Sequence, residues 1–186
     1  MKKLLLVVDM INGFITEGNL HDKSIGTIIP ACEKYIKEYL TNDWEIVAFC
    51  DTHEEDSKEF SVYPIHCLAD TKESELVEEL AVYRDRIKLI PKNSTNGFLA
   101  PGFAVYKDRL EEYEEIMIVG CCSDICVLQL ALTLKAYCNQ YDYETEIVVD
   151  TAACETFDIP GHDQKEYNDK AFDLMRKAGI TVINGD

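Results

Sequence analysis

The sequence is short of positive charge. Lys and Arg number 18 against 35 Asp and Glu, a net charge of -17. Such a chain repels phosphate backbones and anionic lipid, so nucleic acid and membrane surfaces are excluded as principal partners. A small neutral or cationic molecule is left. Long apolar runs are absent too, and none approaches the roughly 18–20 residues that cross a bilayer. The opening Met1-Lys2-Lys3-Leu4-Leu5-Leu6-Val7-Val8-Asp9 starts as a signal peptide does, but its apolar stretch stops at an acid. An h-region needs about 7–15 apolar residues, so the expectation is a cytoplasmic protein. Eight cysteines are present, yet no CxxC pair is among them, which argues against thioredoxin-like and zinc-ribbon chemistry. Scattered through apolar segments, most read as reduced, buried small hydrophobes.

What is there suits a folded enzyme-sized domain. The 186 residues are 47% hydrophobic, enough for one core, and the expectation is a single domain over 1–186. No repeat, linker or low-complexity tract interrupts it. Apolar runs with strand character fall at Leu4 to Val8, Glu45 to Cys50, Ile87 to Ile90 (ended by Pro91), Ile116 to Val119, Glu146 to Val149 and Ile180 to Ile183. Between them, helical spacing covers Ile28 to Leu40, Ser74 to Val82, Asp124 to Tyr137 and Gln164 to Lys177. This alternation predicts an α/β fold with a parallel sheet covered on both faces. Sites in such sheets lie beyond the carboxyl ends of the strands. Those ends are Asp9, Asp51, Pro91-Lys92, Gly120-Cys121-Cys122 and Asp150.

Taken singly, these residues have ordinary readings. Asp9 suits a turn or helix cap, Lys92 a solvated charge, and Cys126 a buried structural thiol. Taken together they offer a thiol near a helix start, an ammonium that lowers its pKa, and a carboxylate to carry protons, which is the composition of an activated nucleophile. A second group follows the second strand. Asp51 and His53 leave the strand two residues apart, and Glu59 and His66 come from the loop beyond. Carboxylates and imidazoles without thiolate suit zinc, manganese or iron with open positions. A polar loop of unrelated residues is the competing reading. The turn Gly120-Cys121-Cys122-Ser123-Asp124-Ile125-Cys126 presents backbone N–H groups that could hold an oxyanion, or is simply a strand-to-helix turn. His21 and His162 read as solvated surface.

The order of these segments is similar to a known family. Asp9-Met10-Ile11-Asn12-Gly13-Phe14, Asp51-Thr52-His53, Glu59-Phe60-Ser61, Tyr63-Pro64-Ile65-His66-Cys67, Pro91-Lys92 and Ser123-Asp124-Ile125-Cys126-Val127 resemble the successive motifs of the isochorismatase-like cysteine hydrolases. Within them, the resemblance is to the nicotinamidase (pyrazinamidase) branch, and it runs over nearly the whole chain. It implies a three-layer α/β/α domain with a six-stranded, mainly parallel sheet. It implies a catalytic triad of Asp9, Lys92 and Cys126, an oxyanion hole from the amides of Cys122 and Cys126, and a cis peptide at Cys121–Cys122. It also implies one divalent metal ion, zinc first and manganese or iron next, held by Asp51, His53, Glu59 and His66. The implied reaction is hydrolysis of nicotinamide, with Phe14 and Tyr63 against the ring, in a protein that forms homo-oligomers in some members. The residues from Cys67 onward, Leu-Ala-Asp-Thr-Lys-Glu-Ser-Glu, lack the glycines usual there. A related amidase or ureide hydrolase is the neighbouring expectation. A flavodoxin-like FMN carrier is the expectation of another class, though the acid at the end of the first strand sits where a phosphate would bind.

Overall fold

Leu4, Leu5, Leu6, Val7 and Val8 are all buried, as a strand covered on both faces must be. Alternate residues enter opposite cores. Leu4, Leu6 and Val8 face one apolar cluster, and Leu5 and Val7 face the other. The computed structural model describes residues 2–185; Met1 and Asp186, the two ends of the expected 1–186 domain, lie outside the described residues.

The strands are β1 Lys2–Val8, β2 Glu45–Asp51, β3 Lys88–Lys92, β4 Tyr113–Cys121, β5 Glu146–Glu155 and β6 Thr181–Ile183. The helices are α1 Asn12–Ile15, α2 Ile29–Thr41, α3 Glu78–Ala81, α4 Ala104–Lys107, α5 Leu128–Gln140 and α6 Gln164–Lys177. The six strands form one sheet in the order β3-β2-β1-β4-β5-β6, and every pairing is parallel. The expected fold class is what forms. The order also separates it from the flavodoxin-like sheet, whose strands run 2-1-3-4-5. Strand order reverses between β1 and β4, so a crevice opens at their carboxyl ends.

The helix α2 carries Pro30 in its first turn and turns Cys32, Ile36 and Tyr39 inward. The helix α6 has the predicted bounds. Its N-cap Asp163 accepts from the Glu166 amide at 2.8 Å, and Gly179 follows in the left-handed region with φ +82.

Several expectations need correction. The helix expected over Ser74 to Val82 shrinks to the four residues of α3, preceded by a 3-10 turn at Lys72–Ser74. Glu75 to Val77 instead run extended against Met10 to Asn12, with the Asn12 amide donating to the Glu75 carbonyl at 2.9 Å and the Val77 amide to the Met10 carbonyl at 3.1 Å, so the helix starts only at Glu78. The strand expected to end before Pro91 runs through it to Lys92. On this edge strand a proline costs no ladder bond on its open side. The fifth strand runs to Glu155 through an irregularity that follows Val149. There the buried Asp150 takes hydrogen bonds from Tyr35 Oη at 2.8 Å and from the Ala152 and Gly185 amides at 2.9 and 2.8 Å. The helix expected from Asp124 begins as a π-helical turn, Ser123–Val127, and becomes α-helical at Leu128. All eight cysteines are unpaired and buried, as expected. Among the described residues, no helix is long and apolar enough to cross a membrane.

Candidate active site

Four strand ends build the site. Asp9 leaves β1 in the left-handed region (φ +52), where an Asp is one of the few non-glycine residues found with any frequency. It is fully buried and caps no helix, because its Oδ1 accepts from the Asp51 amide at 3.0 Å. Lys92, at the end of β3, is 2% exposed and is far from the solvated charge of its ordinary reading. Its Nζ lies 2.8 Å from Asp9 Oδ2 and 2.7 Å from Asp51 Oδ1, and 3.9 Å from Cys126 Sγ. The expected triad residues are thus one cluster. The peptide between Cys121 and Cys122 is cis, as expected.

The charges in this cluster are set by burial against ion pairing. Burial raises the Asp9 carboxyl, the Lys92 ammonium pulls it back, and Asp51 pushes it up again, leaving it at about 6. Burial works against the Lys92 cation, yet the carboxylates, Asp9 first and then Asp51, raise it well above its ordinary value. Burial also pushes the Cys126 thiol well up, and Lys92 opposes without reversing it. The ammonium pulls the thiol down as the sequence predicts, but burial outweighs it, so the expected net lowering is corrected. The free site holds a thiol beside a carboxylate that can take its proton. Asp9 Oδ2 accepts no well-directed hydrogen bond, so it has a lone pair to spare.

Asp51 is shared with the second cluster. Its Oδ2 lies 2.8 Å from His53 Nε2 and 3.0 Å from His66 Nε2, and Glu59 Oε2 is 3.6 Å from His53 Nε2. One atom from each of Asp51, His53, Glu59 and His66 falls within 4.8 Å of the others. Each remaining ring nitrogen is tied to an acceptor. His53 Nδ1 meets Asn93 Oδ1 at 2.7 Å and His66 Nδ1 meets the Pro64 carbonyl at 2.8 Å. Donation from Nδ1 leaves both Nε2 lone pairs facing inward, which is how a protein presents imidazole to a metal. Glu59 is aimed by the Thr95 amide, 2.7 Å from its Oε1. Two carboxylates and two neutral imidazoles balance the charge of a divalent ion, so the residues fit the expected metal.

A narrow, mainly apolar pocket opens onto both clusters. Phe14, Tyr63, Cys122 and Cys126 line it as expected, with Asp51, Glu59 and His66 at its polar end. Ile125 of the nucleophile motif also lines it, as do Leu20, Thr95 and Phe157, which carry no motif that would mark them in the sequence. Phe157 stands edge-on to Phe14 with centroids 6.4 Å apart. The glycine-poor loop after Cys67 closes by other means. Cys67 and Asp70 take positive φ themselves (+46 and +58), and the Cys67 amide donates to Glu73 Oε2 at 2.8 Å. His21 is exposed, as expected. His162 is not solvated surface. It is half-buried, with its ring stacked on Tyr167 at 3.7 Å and Nε2 at 2.8 Å from Asp124 Oδ2.

Comparison with known proteins agrees with this geometry. The profile of the isochorismatase domain matches residues 3–186. Nicotinamidase 1 of Arabidopsis thaliana is 32% identical over 200 aligned residues, covering 97% of this chain and 82% of the relative. The solved pyrazinamidase/nicotinamidase of Streptococcus mutans superposes with a TM-score of 0.80 at 22% identity, covering 98% of this chain and all of that one. The pyrazinamidase of Pyrococcus horikoshii, solved in complex with zinc, gives 0.76 at 22% identity, with both chains fully covered. At that identity the two structures establish the fold.

Proposed function

Since the chain belongs to the isochorismatase family, we propose that it is an amidohydrolase that converts nicotinamide to nicotinate and ammonia through a thioester on Cys126. One observation carries the reading. Asp51 holds Lys92 of the nucleophile cluster with one oxygen and faces both imidazoles with the other, so a cysteine and a metal set share one small pocket. The similarity to the Arabidopsis nicotinamidase supports the choice of substrate.

The chain's own groups supply the steps. Asp9 takes the thiol proton as Cys126 Sγ forms its bond to the amide carbon, so charge appears on sulfur only as it is used. The carbonyl oxygen becomes an oxyanion and takes hydrogen bonds from the amides of Cys122 and Cys126. The C–N bond then breaks, and Asp9 returns its proton to the nitrogen, which leaves as ammonia. A water attacks the thioester while Asp9 accepts its proton. The C–S bond breaks, nicotinate leaves, and Asp9 restores the thiol. Lys92 keeps Asp9 oriented and offsets the negative charge in each half. Phe14 and Tyr63 hold the ring, which places the amide carbon over the sulfur. A divalent ion held by Asp51, His53, Glu59 and His66, zinc first, supplies a Lewis-acid anchor for a ring nitrogen.

The experiment is ammonia release from nicotinamide by the purified protein, with metal content measured alongside. Turnover that is lost in Cys126→Ser is the expected result. A metal-loaded, folded protein that releases no ammonia from nicotinamide rules the substrate out.

A further inference from the structure

We propose that His162 is a positioning residue, a brace that holds the nucleophile turn against the wall of the pocket. The proposal rests on the reading above for the identity of the nucleophile. His162 Nε2 lies 2.8 Å from Asp124 Oδ2, in the turn Ser123–Val127 that carries Cys126. Its Nδ1 lies 3.0 Å from the carbonyl of Phe157, a residue of the pocket wall. A single ring therefore joins the element that delivers the nucleophile to the element that shapes the cavity.

The surroundings hold the ring in place. Tyr167 of α6 stacks on it at 3.7 Å and 20°. The segment that bears it closes on itself, with the His162 amide donating to the Ile159 carbonyl at 2.9 Å and the Ile159 amide to the His162 carbonyl at 3.3 Å. A second tie runs beside the first. The hydroxyl of the fully buried Thr156 donates to Asp124 Oδ1, and Gln164 Nε2 donates to the Thr156 carbonyl at 2.8 Å. Both oxygens of Asp124 are thus held by the stretch that flanks Phe157.

Both partners of the ring are acceptors. A carboxylate faces Nε2 and a carbonyl faces Nδ1, and a neutral imidazole has one N–H to give. Only the imidazolium satisfies both. Burial works against that cation, but the hydrogen bond to Asp124, then the Phe157 carbonyl, raise it above its ordinary value. The other charged groups around it are Asp158, Asp163 and Glu166 in the groove it lines, and Lys170, whose Nζ sits 5.0 Å from the Tyr167 ring. Acids prevail there, which again favours the cation. Loss of the proton breaks one of the ring's two links and leaves the Thr156 tie alone to hold the wall against the nucleophile turn.

The test uses the full chain. Histidine-labelled protein is titrated by NMR, with the His162 signals assigned by their loss in His162→Gln. The expected midpoint lies above the ordinary value of about 6.5 and falls in Asp124→Asn. A midpoint at or below the ordinary value, or one unmoved in Asp124→Asn, overturns the brace. Kinetically, His162→Gln keeps one donor and no charge. It is expected to lose about tenfold in kcat/KM, the size of one charged hydrogen bond, with KM raised as well as kcat lowered. The KM of the parent should climb as pH passes the His162 midpoint, and that of His162→Gln should stay flat there. Unchanged KM and kcat in His162→Gln count against the proposal. Mapped alkylation of Cys126 by iodoacetamide separates this proposal from the reading of the substrate, because it needs no turnover. A rate that differs between parent and His162→Gln supports the brace even if nicotinamide is not hydrolysed. Equal rates at every pH overturn it even if nicotinamide is.

Discussion

Lys92 and Asp51 lie 2.7 Å apart, both buried, and their ion pair joins two groups of residues that the motifs present as separate. The Lys92 cation is shared between Asp51 and Asp9, so the acid that would move protons and the acid that would face the metal compete for one ammonium. Burial raises Asp51, and the Lys92 cation leads what more than reverses it, holding it well below the usual carboxylate range. Asp9 goes the other way, to about 6. Two carboxylates in one site are thereby given different duties, one permanently ionised and one that can exchange a proton near neutrality.

Asp9→Asn should lower turnover by at least about 10²-fold, toward the upper end of what a lost acid–base group costs, with fold and metal content retained. The parent enzyme should lose kcat/KM as pH falls through about 6, because a protonated Asp9 cannot accept the thiol proton. Below that point the fall should approach tenfold per pH unit. A pH–rate profile without that acid limb in the parent, or a variant keeping more than about a tenth of the rate, returns Asp9 to a structural role.

Lys92→Met should cost stability as well as activity. Removing the cation leaves Asp9 and Asp51 buried without their shared partner, and breaking a buried pair in this way costs about 3–5 kcal/mol. Asp9→Asn leaves the Lys92–Asp51 pair in place and should cost much less. Urea unfolding of the two variants, compared at one pH, checks the order.

His53→Ala and His66→Ala should each empty the metal site and chiefly raise KM. Asn93→Ala should weaken metal binding by about 10–100-fold although Asn93 is no ligand, because its Oδ1 fixes the His53 ring. Metal analysis after dialysis against a graded chelator series reads both effects. Affinity should also fall with acid, since the imidazoles bind only when neutral.

Cys126→Ala should abolish turnover with little change in stability, since alanine is a good helix former at the start of a helix. Alkylation of the parent should be slow at neutral pH and quicken as pH rises, since burial keeps the thiol protonated. Modified sites should map to Cys126 and Cys122, the two cysteines that line the pocket. Preferential modification of Cys32, Cys67 or Cys154 would sink the assignment.

Gly120→Ala should destabilise by about 3 kcal/mol or more. Gly120 sits at φ +116, and an added Cβ would come within 2.1 Å of the Val8 carbonyl oxygen. Thermal unfolding is the measurement, and a variant as stable as the parent contradicts the register of β1 against β4.

Much of this was legible in the residues themselves. Leu4 to Val8 announced a doubly covered strand because burial on both faces leaves no room for polar alternation. Asp9, Asp51, Lys92 and Cys126 could be placed together because a parallel sheet sends every strand the same way, so residues at strand ends meet whatever their separation in sequence. What was not legible depends on three-dimensional context. Phe157 and Leu20 are ordinary apolar residues whose position beside the pocket no spacing encodes. The charge of Cys126 depends on the depth of its burial, which outweighs the nearby ammonium. His162 looked like a surface residue because its partners, Asp124 and the Phe157 carbonyl, come together only when the segment after β5 folds back over the turn. The loop after Cys67 holds its shape through Glu73, a substitute for glycine that composition alone does not reveal.

The topology also divides labour along the chain. Every group assigned to bond making, proton movement or metal holding lies at or before Cys126, while β5, α6 and the segment between them contribute Phe157 as wall and Thr156, His162 and Asn168 as ties to the nucleophile turn. The last third of the sequence thus backs a machinery that the first two thirds carry. A substitution there reaches the reaction through the pose of the turn and of the wall, not by removing a reacting group.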